Sequence, residues 1–127
     1  MRKIINLIVI LISAATILSG MTQLVMPRFV MGVIGAEITE TSAHFFAIVG
    51  MFMALFGGLM IHALYSAIPQ RPAILWCAFQ KLGAFIVVGL GILNGIFAPI
   101  AMGVALFDLF SGLIFLYYLK LSRNELA

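Results

Sequence analysis

Ionised side chains are what this chain has least of. Its 127 residues include only four acidic and seven basic ones, 9% of the total, against 65% hydrophobic. A soluble protein of this size cannot cover so much apolar surface with so few charges. The single cysteine, Cys77, excludes an internal disulfide and any cysteine-built metal cluster. It reads as a small apolar filler near the start of the third helix. A glycine-rich phosphate loop, an HExxH pair, a Ser/His/Asp or Cys/His constellation and paired carboxylates are all missing. No catalytic residue and no metal site are therefore expected. The net charge of +3 is too small and too scattered to argue for nucleic acid. Ten-residue segments of alternating polarity, the mark of a membrane β-barrel, do not occur either.

What the chain does have is four long apolar runs, Ile4–Met26, Ala43–Ile68, Ala73–Phe97 and Ile100–Leu121. A hydrocarbon core of ~30 Å needs ~20 helical residues to cross it. The expected fold is all-α: one membrane domain over 1–127, an antiparallel bundle of four transmembrane helices. Met1-Arg2-Lys3 ahead of an apolar stretch, with Ser13-Ala14-Ala15 beyond, also resembles a signal peptide. The run continues to Met26, so the expectation is a retained first helix.

Punctuation between the runs is specific. Pro27 ends the first. Phe29–Ile34 is too apolar for a free loop and should lie at the interface or tuck against the bundle until Gly35 breaks it. Thr39 can cap the second helix, with Glu40 in its first turn. Ile68-Pro69-Gln70-Arg71-Pro72 is a stop and restart, and Phe97-Ala98-Pro99 is short enough to make the last two helices antiparallel neighbours. The tail Ser122–Ala127 is polar and reads as frayed. Arg2, Lys3, Arg71, Lys120 and Arg123 fall on one side of such a bundle, whereas Arg28 is offset by Glu37 and Glu40. The positive-inside rule then puts both termini in the cytoplasm, N-in/C-in, of a bacterial inner membrane.

At 100° per residue the small and polar residues of each helix gather on one face. On the first helix Asn6, Ser13 and Gly20 recur every seven residues, with Thr16 and Gln23 beside them. The second carries Gly50, Ala54 and Gly58. The third carries Gln80, Ala84, Val87, Gly91, Asn94 and Gly95, in which Gly91-x-x-x-Gly95 forms a helix-contact motif. On the fourth, Ala101, Ala105, Asp108 and Gly112 align. The polar set Asn6, Ser13, Thr16, Gln23, Gln80, Asn94 and Ser111 is read as interhelical hydrogen bonding or as the lining of a quinone or lipid-headgroup site. Phe45, Phe46, Phe52 and Phe56 read as packing or lipid-facing residues. Trp76, Tyr117 and Tyr118 read as interfacial anchors.

Two constellations stand out. Lys81 and Asp108 each lie eight residues into antiparallel helices, counted from Ala73 and Ile100. Each is then ~12 Å from its own membrane face, leaving ~6 Å of depth for a lysine side chain to cross. An intramembrane ion pair is expected, either holding two helices in register or exposing Asp108 for proton exchange or ligand binding. A lysine can snorkel away from the bilayer centre, so losing Asp108 should hurt assembly more than losing Lys81. His44 and His62 are eighteen residues apart, on one line of the second helix, but ~27 Å apart along it. They cannot share a metal. The alternatives are that each holds its own haem or chlorophyll, or that His62 hydrogen-bonds Gln80, Asn6 or a carbonyl.

The segments Pro27 with its short Gly-containing sequel, Phe46–Gly58, Gln80-Lys81-Leu82-Gly83-Ala84 and Phe107-Asp108-Leu109-Phe110-Ser111-Gly112 resemble the DoxX-like group of small four-helix bacterial membrane proteins. The resemblance covers almost the whole chain. It implies the four-helix fold and a small subunit or accessory role, in some members within quinone-linked oxidoreductases, and it transfers no catalytic residue. Three functional classes stay open. One is an accessory subunit of a redox-linked membrane complex. The second is a haem-, chlorophyll-, quinone- or lipid-binding protein, and the third a proton-coupled transporter using Asp108. The partners expected are the bilayer and either a membrane protein or further copies of this chain, meeting on the Gly91/Gly95 face.

Overall fold

The computed structural model describes residues 2–68 and 70–126, with side chains through Ser122. Its elements are α1 (Arg2–Val25), α2 (Pro27–Ile34), α3 (Glu40–Tyr65), α4 (Arg71–Leu93), a 3-10 turn (Pro99–Ala101) and α5 (Met102–Leu126). Four of these stretches, counting the turn with α5, are long and apolar enough to cross a membrane. The chain is thus an all-α bundle of four membrane-spanning helices. The short α2 is a fifth helix, formed by the apolar segment read as a tucked connector.

Each boundary has a local cause. Pro27 cannot donate to α1, and its fixed φ suits the first turn of α2. Gly35, at φ 70°, ends α2 in the left-handed conformation. Thr39 and Ser42 form a reciprocal capping box, the Ser42 N–H donating to Thr39 Oγ1 at 2.9 Å, so α3 begins at Glu40, as the Thr39 cap predicts, three residues ahead of the apolar run that starts at Ala43. It also stops at Tyr65, short of Ile68, ahead of Pro69, which lies outside the described residues along with Met1 and Ala127. A proline there cannot donate to the Tyr65 carbonyl.

The end of α4 corrects a second expectation. The helix stops at Leu93, not Phe97, because Gly95 turns left-handed at φ 73°. The Gly95 N–H then reaches the Ile92 carbonyl, and the Ile96 N–H the Gly91 carbonyl at 2.8 Å, the paired bonds of a Schellman motif. Gly95 is a turn residue with nothing near its Cβ position, and Gly91 is covered by the Phe97 ring of its own connection. The Gly91/Gly95 pair is therefore not a contact groove for another helix of this chain. Gly95→Ala should cost about 1–2 kcal/mol, the penalty of a left-handed residue carrying Cβ, read as a lower melting point in detergent. At the other extreme, α5 runs on through Leu126, so the backbone of the polar tail is helical that far.

The long helices form two close antiparallel pairs, α1 with α3 and α4 with α5, and the pairs meet each other along thinner seams. Within the first pair, Gly20 faces Gly50 and Ser13 faces Gly57. Gly57 takes the place expected of Gly58, whose Cβ position meets nothing within 4 Å. Seven residues is close to two whole turns, so Gly50 and Gly57 stay on one line, as Ser13 and Gly20 do on α1. A four-residue step drifts off a line contact this long. Within the second pair Gly112 packs on Leu82 and the Ala78 carbonyl, and the Arg71 guanidinium donates to the Leu119 carbonyl at 3.0 Å.

The half of the bundle nearest the two termini is a packed apolar core of Val9, Met60, Ile74, Cys77, Phe115 and their neighbours. Tyr118 belongs to it at 8% exposure and is not an interfacial anchor, while Trp76 and Tyr117 do point outward. Cys77 fills space there with its thiol directed to the Phe56 carbonyl at 3.8 Å. Val87, placed on the inner face by periodicity, is 67% exposed on the outside. The opposite half is looser and is capped by α2, which buries Met31 and is tied down by the Ala98 N–H donating to the Ile34 carbonyl at 2.7 Å.

Candidate functional site

The two halves meet at a polar layer near the middle of the spans. Lys81 Nζ lies 3.1 Å from Asp108 Oδ1 and 2.7 Å from Thr16 Oγ1, and sits 5.0 Å above the Phe107 ring. Thr16 can accept that bond because its own hydroxyl proton goes back to the Ile12 carbonyl at 2.9 Å. The ion pair joins α4 to α5 within one helix pair, and the Thr16 contact carries it across to α1 in the other. Lys81 and Asp108 are 3% and 8% exposed, so the ammonium is held inside the bundle by two acceptors and does not snorkel to a membrane face. That removes the reason for expecting the loss of Asp108 to be the worse of the two.

No pattern in the sequence marks Thr16 as the lysine's second acceptor. It stood in the polar set, but α1–α4 proximity depends on how the two pairs dock, and no spacing within one helix encodes that. Among the described residues only Thr16 and Gln23 of that set bond across helices, Gln23 Nε2 donating to the Phe46 carbonyl at 2.9 Å. Ser13 and Ser111 instead return their protons to the Val9 and Phe107 carbonyls of their own helices, at 2.8 and 2.6 Å. Asn6 and Gln80 are half-buried and make no side-chain hydrogen bond among the described residues. Asn94 is exposed at the end of α4 and is not an interior residue.

Above this layer the two helix pairs separate into a cleft with two lobes. The larger, of about 520 Å³, lies between α1 and α5, and the smaller, of about 170 Å³, between α3 and α4. Gln23, Val30, Met53, Lys81, Val104 and Asp108 line both, so the lobes meet over the ion pair. Most of the wall is apolar, and Val30 of α2 forms part of the roof. Among the described residues, Lys81 and Asp108 are the only ionisable side chains that line either lobe.

His44 and His62 are both exposed on the outside of α3, and neither lines either lobe. The His62 ring makes no bond to Gln80, Asn6 or a carbonyl. Among the described residues its only hydrogen bond is at its backbone carbonyl, which accepts from Ser66 Oγ at 2.9 Å. No group of three or more metal-ligating side chains occurs among the described residues. Comparison with known proteins finds no matching family model, no similar curated protein and no similar solved structure.

Proposed function

We propose that this integral membrane protein is a small accessory protein whose own task is binding, and that it holds a lipophilic molecule by its polar end in the cleft above Lys81 and Asp108. The cleft carries this reading. Its volume lies in the usual range for small-molecule sites, which are mostly apolar with a few converging polar groups and in bundles lie between helices. Here the apolar walls suit a hydrocarbon body, and the polar floor suits a head group. Both lobes lie at seams between helix pairs, where a lipid-soluble molecule arrives from the bilayer.

The packed core beneath the polar layer favours binding over conduction through Asp108, because it leaves the cleft as a pocket closed toward the termini. A haem or chlorophyll held by His44 or His62 draws nothing from the cleft, since both rings face away from it. The N-in/C-in orientation in a bacterial inner membrane rests on the basic residues flanking α1, α4 and α5. Membership of a larger, redox-linked complex rests on the DoxX-like motifs, which also make a quinone one candidate occupant.

The test is extraction. Protein purified in mild detergent should carry a lipophilic molecule near one per chain, identified by mass spectrometry of the solvent extract. Gly103 lines the larger lobe and has nothing within 4 Å of its Cβ position. Gly103→Phe should therefore fill that lobe without disturbing the fold and reduce retention at least tenfold. Equal retention by a normally melting Gly103→Phe would remove the cleft from consideration. The accessory role fares separately: it needs a partner subunit in the native-membrane preparation, and a stable chain purifying alone contradicts it.

A further inference from the structure

We infer that the occupant of the cleft is a neutral lipid bearing a hydroxyl group, not a fatty acid and not an alkylamine. The inference rests on the binding role proposed above and follows from which hydrogen-bonding positions are already taken. Lys81 has three N–H donors, of which Thr16 and Asp108 accept two. Asp108 accepts through Oδ1 only, and Gln23 has committed its amide nitrogen to Phe46 and nothing to its Oε1. Gln80 has neither end of its amide engaged. Among the described residues no buried side-chain nitrogen or oxygen lacks a partner. The unbonded oxygens of Asp108 and Gln23 must therefore reach accessible space, and the cleft is the space those residues line. The cleft therefore offers an occupant both kinds of partner: acceptor oxygens on Asp108, Gln23 and Gln80, and donors in the remaining Lys81 proton and the unused amide protons of Gln23 and Gln80.

Charge narrows the choice further. The Lys81–Asp108 pair is neutral as a whole and supplies the only ionisable groups of the lining among the described residues. A carboxylate head could only accept, would lie beside the Asp108 carboxylate, and would leave an uncompensated negative charge in an apolar site. An ammonium head could only donate, would crowd Lys81, and would leave an uncompensated positive one. A hydroxyl donates to the open oxygen of Asp108 and accepts the remaining proton of Lys81, and it adds no charge. Its hydrocarbon body then lies along Val30, Met53 and Val104.

Three probes of equal chain length separate these cases: dodecan-1-ol, dodecanoate and dodecylamine. Each is added at the same concentration and pH 7.5 to the full-length protein, freed of retained lipid and held in detergent. Occupancy is counted by native mass spectrometry, for wild type and for Gly103→Phe. Dodecan-1-ol should occupy wild type at least fivefold more than either charged probe and be lost in Gly103→Phe. Binding led by dodecanoate or dodecylamine, or equal for all three, overturns the hydroxyl assignment while leaving the cleft as a lipophile site if Gly103→Phe abolishes it. Binding of no probe, or binding that Gly103→Phe does not alter, overturns both.

Discussion

Gly50→Ala is expected to destabilise the bundle severely, whereas Gly58→Ala, eight residues further along the same helix, leaves it as stable as before or slightly more so. A Cβ at Gly50 would stand 2.6 Å from the Gly20 carbonyl oxygen and 2.8 Å from the Leu24 backbone nitrogen. Both atoms are backbone, so no rotamer change relieves the clash and α1 must move bodily away from α3. Overpacking of this kind costs about 1–3 kcal/mol, and more where the opposing wall is rigid. The loss extends along the pair, because separation at Gly50 also loosens the close approach of Gly57 to the Ser13 carbonyl, where an added Cβ would stand only 2.8 Å away. Gly20→Ala should behave like Gly50→Ala, its Cβ meeting the Gly50 carbonyl at 2.5 Å. At Gly58 nothing lies within 4 Å, so alanine brings only its better helix propensity, about 0.5–1 kcal/mol. Circular dichroism melting in one detergent decides the matter. Identical melting of Gly50→Ala and Gly58→Ala would show that the α1–α3 approach is not close.

The second large effect is at the polar layer. Lys81→Met and Asp108→Asn should each destabilise the bundle by about 3–5 kcal/mol, the usual cost of leaving one partner of a buried pair without the other. The two losses should be comparable, since Lys81 is held by Thr16 as well as Asp108 and cannot retreat to the interface. The double replacement Lys81→Met with Asp108→Leu should recover most of that loss, because apolar side chains need no compensation there. A double-mutant cycle of Lys81→Met, Asp108→Leu and their combination, on melting free energies, reads the coupling directly. Thr16→Val completes it: the lysine loses its neutral acceptor but keeps the carboxylate, so a smaller loss of about 1–3 kcal/mol is expected. Strictly additive single and double variants would mean that the pair contributes nothing to the fold.

Much of this architecture is legible in the chain itself. Four apolar runs of membrane length, the Pro27 break, the Thr39 cap and the short Phe97-Ala98-Pro99 connection carry the helix count and the antiparallel order, because each acts over one or two turns. The Lys81–Asp108 contact is legible for a similar reason, since a short connection sets the relative depth of two neighbouring helices. Patterning was misleading where one residue had two possible reasons to be there. Gly95 fits both a helix-contact stripe and a left-handed turn, and the turn's hydrogen bonds won. Gly57 and Gly58 are adjacent, and only the crossing of α1 over α3 selects the first.

The cleft and the Thr16 contact lie beyond what patterning can reach. They arise where two close pairs meet, and that meeting is governed by side-chain volumes on four helices at once. Asn94 and Val87 show the same limit from outside: the periodicity of one helix does not say which side its neighbours will cover, and both residues lie exposed. Sequence alone determined that this is a membrane-spanning all-α chain with one buried pair of opposite charges, since composition and periodicity act locally and add up along the chain. Only the tertiary structure decided that the pair forms the floor of a cleft and that the histidines face away from it. Those facts depend on the distance between helix pairs, which no single stretch of chain specifies.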